Sequence, residues 1–141
     1  MNIDSDFTIV DLEQGTPKWH EWRRNGVGAT NAKVAMGNRG KGFDRLLRIK
    51  AGLEEESDYL NFAMILGVEL EPEARMKYIA RTGTMVKPVC VQSTKHKWLR
   101  ASLDGLTEDH SGVVEIKCGA RVYEIIDETA SIPDYYYPQT Q

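Results

Sequence analysis

The chain has 141 residues and a formal net charge of −3 at pH 7, with an isoelectric point near 5.6, so no global basic field gathers nucleic acid and any phosphate must be caught locally. Hydrophobic residues make up 41% and charged residues 28%, the balance of one soluble globular domain over residues 1–141 with a real core. The two cysteines, Cys90 and Cys118, make neither a disulfide framework nor a four-cysteine metal or iron–sulfur site and fit a reducing cytoplasm, and no apolar run or basic N-terminus predicts a membrane span or signal peptide.

Residues 7–12 suit a short strand or extended arm, broken by Gln14-Gly15-Thr16-Pro17. A short helix opens near Pro17 and carries Trp19, His20, Trp22, Arg23 and Arg24. After the turn 25–28, Thr30 or Asn31 caps a helix through about Met36, ended by Gly37. The stretch 37–42 is a glycine-rich, basic loop containing Arg39 and Lys41, and 43–50 fits a helix. From Ser57 the chain reads as helical to Ala80 or Arg81, with a kink or a fresh start at Pro72. Gly83 ends it. Three strands are predicted at 85–91, 98–103 and 113–117, with the turn 108–112 before the last. A helix begins at about Arg121, Ser131-Ile132-Pro133 connects, and a tyrosine-rich stretch closes the sequence. Helices followed by consecutive strands and a helix imply an α+β fold with a small, mainly antiparallel sheet.

Asp104-Gly105-Leu106 and Glu115-Ile116-Lys117 carry the chemistry. On a strand, Glu115 and Lys117 emerge on one face, and a hairpin can return Asp104 beside them. Two carboxylates hold a hard divalent cation, and a nearby lysine steadies a water or a developing negative charge. That equipment suits metal-assisted phosphodiester hydrolysis. The bland alternative is an Asp-Gly hairpin turn and the wet side of a half-buried strand. His20, His96 and His110 are too scattered for a zinc site.

Seven pieces occur in order: Trp19-His20-x-x-Arg23, Gly28-Ala29-Thr30, Gly67-x-x-x-Glu71-x-x-Ala74-x-x-x-Tyr78, Thr82-Gly83, Ala101-Ser102-Leu103-Asp104-Gly105-Leu106, Glu115-Ile116-Lys117-Cys118 and Gln139-x-Gln141. The series resembles the viral recombinase family typified by YqaJ and phage lambda exonuclease, within the PD-(D/E)XK (restriction-endonuclease-like) nuclease fold. The resemblance runs from about residue 11 to the last residue. It implies that Asp104 and Glu115 bind metal together with the helix-borne Glu71 and the backbone carbonyl of Ile116. Lys117 then positions the attacking water. Arg23 matches the arginine that grips a terminal 5′-phosphate, Thr30 falls where the family has a serine or threonine, and Gln141 matches a glutamine near the active centre. The small residues Gly67 and Ala74 would let the helix approach the sheet.

The resemblance further implies magnesium, or manganese in its place, and double-stranded DNA ends as substrate. A ring-shaped homo-oligomer and a single-strand annealing protein as partner go with it, in a phage or prophage setting in the bacterial cytoplasm. The expected activity is 5′ to 3′ exonucleolytic digestion of duplex DNA. The alternatives are an endonuclease or a CRISPR-associated type of nuclease, or a catalytically incomplete remnant that binds DNA ends; the lack of a cysteine cluster argues against the CRISPR type. Leu103 stands where the name-giving proline usually precedes the aspartate. The family continues beyond the glutamine helix, so the C-terminal part of the domain is expected to be missing here.

Overall fold

The computed structural model describes residues 6–37, 40–56 and 61–140. In chain order these form β1 (Phe7–Val10), α1 (Pro17–Arg24), a 3₁₀ turn (Ala29–Asn31), α2 (Ala32–Met36), α3 (Lys41–Lys50), α4 (Phe62–Thr82), β2 (Val86–Ser93), β3 (Arg100–Thr107), β4 (Val113–Val114), α5 (Ala120–Thr129), a second 3₁₀ turn (Asp134–Tyr136) and α6 (Tyr137–Thr140). The fold is α+β, as expected, with one four-stranded sheet in the order β1-β2-β3-β4. The segment read as strand or arm is an edge strand: β1 pairs antiparallel with β2, from Phe7 opposite Ser93 to Val10 opposite Cys90. Gln141 and Arg39 lie outside the described residues.

The chain divides into two compact units. The first holds the described residues up to Glu56 together with Val89–Ser102. Its α1 starts because Thr16 Oγ1 accepts from the Trp19 amide at 3.3 Å and Pro17 occupies the first helical position. Arg23 and Arg24 in the last turn complement the helix dipole. The following backbone is pinned to β3, with the Val27 amide on the Trp98 carbonyl at 2.7 Å and the Arg100 amide on the Val27 carbonyl at 3.0 Å. Gly26 permits that approach, since a Cβ there would lie 2.5 Å from Arg100 Cδ and 2.7 Å from the Trp98 oxygen. Ile49, Cys90 and Val91 are buried in this unit.

The second unit holds the described residues of 57–88 and Leu103–Thr140. Asn61 caps α4 by accepting from the Met64 amide at 2.9 Å, and Gly83 ends it in the left-handed region at φ 72°. Pro72 neither breaks α4 nor starts a new helix: all 21 residues run as one helix. Pro72 is exposed, and on that side water can take the carbonyl its missing N–H leaves free. Val86 and Leu106 are buried.

Two expectations for the sheet change. The strand predicted at 98–103 is β3, which runs on to Thr107, so Asp104-Gly105 lies inside it and not in the turn of the bland alternative. A Cβ on Gly105 would lie 3.0 Å from Val86 Cγ2 and 3.2 Å from Val114 Cβ, a tight fit that only a shift of those side chains would relieve. The strand predicted at 113–117 is the two-residue β4, pairing Gly105 with Val114 and Leu106 with Val113. Beyond Val114 the ladder gives way to a side chain, because Asp104 Oδ2 accepts from the Ile116 amide at 2.7 Å. The predicted turn forms at the expected place: the Thr107 amide donates to the Gly112 carbonyl at 3.0 Å. Asp109 accepts there from Thr107 Oγ1 at 2.7 Å and from the Ser111 amide at 3.1 Å. These bonds hold its carboxyl well down, at about 2.

Candidate active site

The acidic residues singled out in the sequence come together in the second unit. Helix α4 supplies Glu71, β3 supplies Asp104, and the extended segment after β4 supplies Glu115 and Lys117. Burial raises the Glu71 carboxyl above the ordinary glutamate range, and the negative charges of Asp104 and then Glu115 raise it further. Arg75 opposes the rise, donating from Nη2 to Glu71 Oε1. The Cys118 thiol is also raised, first by burial and then by Glu71 and Asp104. The Glu71 carboxyl thus feels the charge of both other acids, Asp104 more strongly than Glu115.

Lys117 keeps the side expected of it despite the shortened strand. Residues two apart in extended backbone point the same way, and Lys117 Nζ donates to Glu115 Oε1. The same oxygen accepts from Gln139 Nε2 at 2.7 Å. The Lys117 ammonium also sits 4.7 Å from the centre of the Tyr136 ring, where the aromatic face attracts a cation. The ammonium is thus held by a carboxylate and a ring, and is part-exposed.

The donor set fits a hard divalent cation by its chemistry. Three carboxylates confront two cations, Arg75 and Lys117, which leaves negative charge in surplus, and oxygen donors suit magnesium or manganese. Each carboxylate has one oxygen turned to a protein donor: Glu71 Oε1 to Arg75, Asp104 Oδ2 to Ile116, and Glu115 Oε1 to Lys117 and Gln139. In that arrangement no three acidic, histidine or cysteine side chains among the described residues stand close enough to hold one metal ion.

The residues matched to phosphate binding lie in the first unit. Arg23 Nη2 donates to Thr30 Oγ1 at 3.1 Å, and its guanidinium lies 4.5 Å from the centre of the Trp19 ring. Thr30 is in the 3₁₀ turn, and Asn31 precedes α2 without a side-chain cap. Trp19 is itself fixed, its Nε1 donating to Ser102 Oγ at 2.8 Å and its ring meeting the edge of His20 at 4.8 Å. Lys50 Nζ donates to the Arg23 carbonyl at 2.8 Å. Burial lowers the Lys50 ammonium below the usual lysine range, and Arg23, Arg100 and Arg24 add to the lowering against Glu56.

Three contributors were not assigned from the sequence. Arg75 was legible as the fourth residue after Glu71 on a helix, a spacing that pairs charges. Of the two glutamines in Gln139-x-Gln141, it is Gln139 that reaches Glu115. Tyr136 belongs to the tyrosine-rich closing stretch, and no local pattern marks it as the ring near Lys117. One small-residue expectation fails: a Cβ on Gly67 would meet nothing within 4 Å, so no close approach depends on that glycine.

A model of the YqaJ-like viral recombinase domain matches residues 18–141. Two crystal structures of LHK-Exo, an alkaline exonuclease from Laribacter hongkongensis, are similar to the chain. The one in complex with dAMP is 30% identical with a TM-score of 0.74, over 89% of this chain and 65% of that one. The other is 28% identical with a TM-score of 0.75, over 88% and 64% respectively. The chain therefore spans about 65% of the length of the exonuclease it matches. No curated protein matches it. No helix among the described residues is long and apolar enough to cross a membrane. By the extent of the domain match, the chain belongs to the YqaJ-like viral recombinase family.

Proposed function

We propose that this chain is a magnesium-dependent deoxyribonuclease, with manganese as the alternative ion, that digests one strand of duplex DNA 5′ to 3′ from 5′-phosphorylated ends. The observation that supports the reading is the linkage of the three acids in one unit: Arg75 bonds both Glu71 and the Asp104 carbonyl, Asp104 bonds the Ile116 amide beside Glu115, and Lys117 is fastened to Glu115. Surplus carboxylate charge at a part-buried site destabilises the fold unless a ligand offsets it. Glu71, Asp104 and Glu115, with the Ile116 carbonyl, would hold the cation, which when bound draws charge from the phosphoryl oxygens and shields the leaving oxygen.

The chain's own groups supply the rest. Lys117, held by Glu115 and Tyr136, presents its ammonium to the attacking water and to charge building on the phosphoryl group. Gln139 keeps Glu115 Oε1 engaged beside it. Water attacks phosphorus, the bond to the 3′ oxygen of the terminal nucleotide breaks, and a 5′-mononucleotide departs. A complex of the similar exonuclease with dAMP fits a product of that class. Arg23 offers the planar fork suited to a terminal phosphate. Thr30 accepts from Arg23 and retains its hydroxyl hydrogen for the same phosphate. A ring-shaped homo-oligomer and a single-strand annealing partner belong to this reading through the family.

Asp104→Ala and Lys117→Ala should each abolish magnesium-dependent digestion of linear duplex, and retained activity in both would sink the assignment. Closed circular duplex should survive; if it is nicked, the enzyme is an endonuclease. A chain that folds and binds ends without digesting them would be an end-binding remnant.

A further inference from the structure

We infer that Arg75 is the positioning residue of the acid cluster: one guanidinium fastens the helix carrying Glu71 to the strand carrying Asp104 and so sets the spacing of the two acids. The inference rests on the metal-site reading above. Arg75 Nη2 donates to Glu71 Oε1 while Nε of the same side chain donates to the backbone carbonyl of Asp104 at 2.7 Å. A helix and a strand are thereby tied through a single planar group, within one unit.

A second pair on the same helix shows what a plain charge pair looks like. Lys77 and Glu73 have the same four-residue spacing at 2.6 Å, but their side chains are 76% and 62% exposed, against 13% and 26% for Arg75 and Glu71. An exposed pair contributes little. Arg75 is largely enclosed and has a second partner, the Asp104 carbonyl, on another element. A lysine at this position would supply the charge but not a rigid fork reaching two acceptors at once.

Two roles make opposite predictions for the cation. A mere counter-charge competes with the metal, so its removal should tighten metal binding. A positioning residue holds two ligands in register, so its loss should weaken binding although positive charge near the site has been removed. Loss of a group that orients metal ligands typically costs about 10–100-fold in metal affinity.

The test is a calorimetric titration of manganese into the full chain without DNA, for wild type, Arg75→Lys, Arg75→Met and Asp104→Ala. We expect Arg75→Lys and Arg75→Met each to bind manganese about 10-fold more weakly or worse, with an unchanged circular dichroism spectrum. The magnesium concentration giving half-maximal digestion should rise in Arg75→Lys, with kcat recovered at saturating metal. If Arg75→Met does not fold, Arg75→Lys, which keeps the charge beside Glu71, decides alone. Unchanged or tighter manganese binding in Arg75→Lys overturns the positioning role. Equal binding by wild type and Asp104→Ala instead overturns the metal site itself, and the positioning role with it.

Discussion

The two units concentrate opposite charges, and they do so by the same means. In the first, Lys50 lies among Arg23, Arg24 and Arg100, and burial with like charge makes its ammonium easier to deprotonate. In the second, Glu71 lies with Asp104 and Glu115, and burial with like charge makes its carboxyl harder to ionise. A net charge of −3 conceals both. Like charges gathered at part-buried positions weaken the fold, and a ligand of opposite sign relieves them. The basic cluster suits a phosphate and the acidic one a divalent cation. On the proposed function, recognition would be a matter of local fields, each built by a few side chains.

The largest effect is expected from Glu71→Gln. Gln keeps an oxygen for Arg75 but removes a charge, so manganese affinity should fall by more than the ~10–100-fold typical of outer-sphere partners, and digestion with it. Stability in the absence of metal should move the other way. Because the folded pKa of Glu71 is raised, its stabilising contribution is complete below the unfolded value and is lost as pH rises through the folded one. Metal-free thermal melts at neutral pH should therefore favour Glu71→Gln over wild type, with the gap closing as pH falls below the ordinary carboxylate range. A less stable variant at neutral pH would mean that the Arg75 ion pair outweighs burial and repulsion.

On the basic side, Arg23→Ala should lower the preference for 5′-phosphorylated over 5′-hydroxyl ends by about 10–100-fold, the loss expected for a charged hydrogen bond of about 1.5–3 kcal/mol. Competition between the two ends on otherwise identical duplexes measures it. The effect should be confined to end selection, leaving manganese affinity in the absence of DNA at the wild-type value. An equal loss on both kinds of end would show that Arg23 serves the backbone generally and not the terminus.

Much of this division was legible before any fold was known. Asp104, Glu115 and Lys117 announce themselves because the acidic and basic types needed for the chemistry stand close in sequence on a hairpin. Arg23 and Glu71 are legible only through the family frame, since an arginine or glutamate on a short helical pattern has no mark of its own. The strand at 113–117 misled because alternation reports which way side chains point and not what the backbone bonds to. Asp104 captures the Ile116 amide, so the alternation persists without the ladder. Arg75, Gln139 and Tyr136 depend on contacts between elements far apart in the chain, and local pattern does not encode such meetings.

Two glycines lie near the acids, Gly105 next to Asp104 and Gly67 four residues before Glu71, and their surroundings differ. Gly105 follows Asp104 on β3 and is hemmed in by Val86 and Val114, with a hypothetical Cβ 3.0 and 3.2 Å from them. Gly105→Ala should cost about 1–2 kcal/mol, the overpacking loss exceeding the gain from a stiffer unfolded chain. Since the displaced backbone carries Asp104, manganese binding should weaken alongside the melting temperature. A stability loss with unchanged metal binding would place Asp104 beyond the reach of that strain.

Gly67 is the smallest and cleanest case. It lies one turn before Glu71 inside α4, where glycine is a poor helix former, and an added Cβ meets nothing within 4 Å. Gly67→Ala should therefore stabilise the chain by about 0.5–1 kcal/mol, raising the melting temperature by about 2–4 °C, with manganese affinity and digestion unchanged. The direction matters more than the size. If small residues on that face served the approach of the helix to the sheet, as the sequence frame implies, alanine would destabilise and loosen Glu71. Stabilisation at constant metal affinity would show that Glu71 is held from its C-terminal side, through Arg75 and the Asp104 carbonyl, and owes nothing to the turn before it.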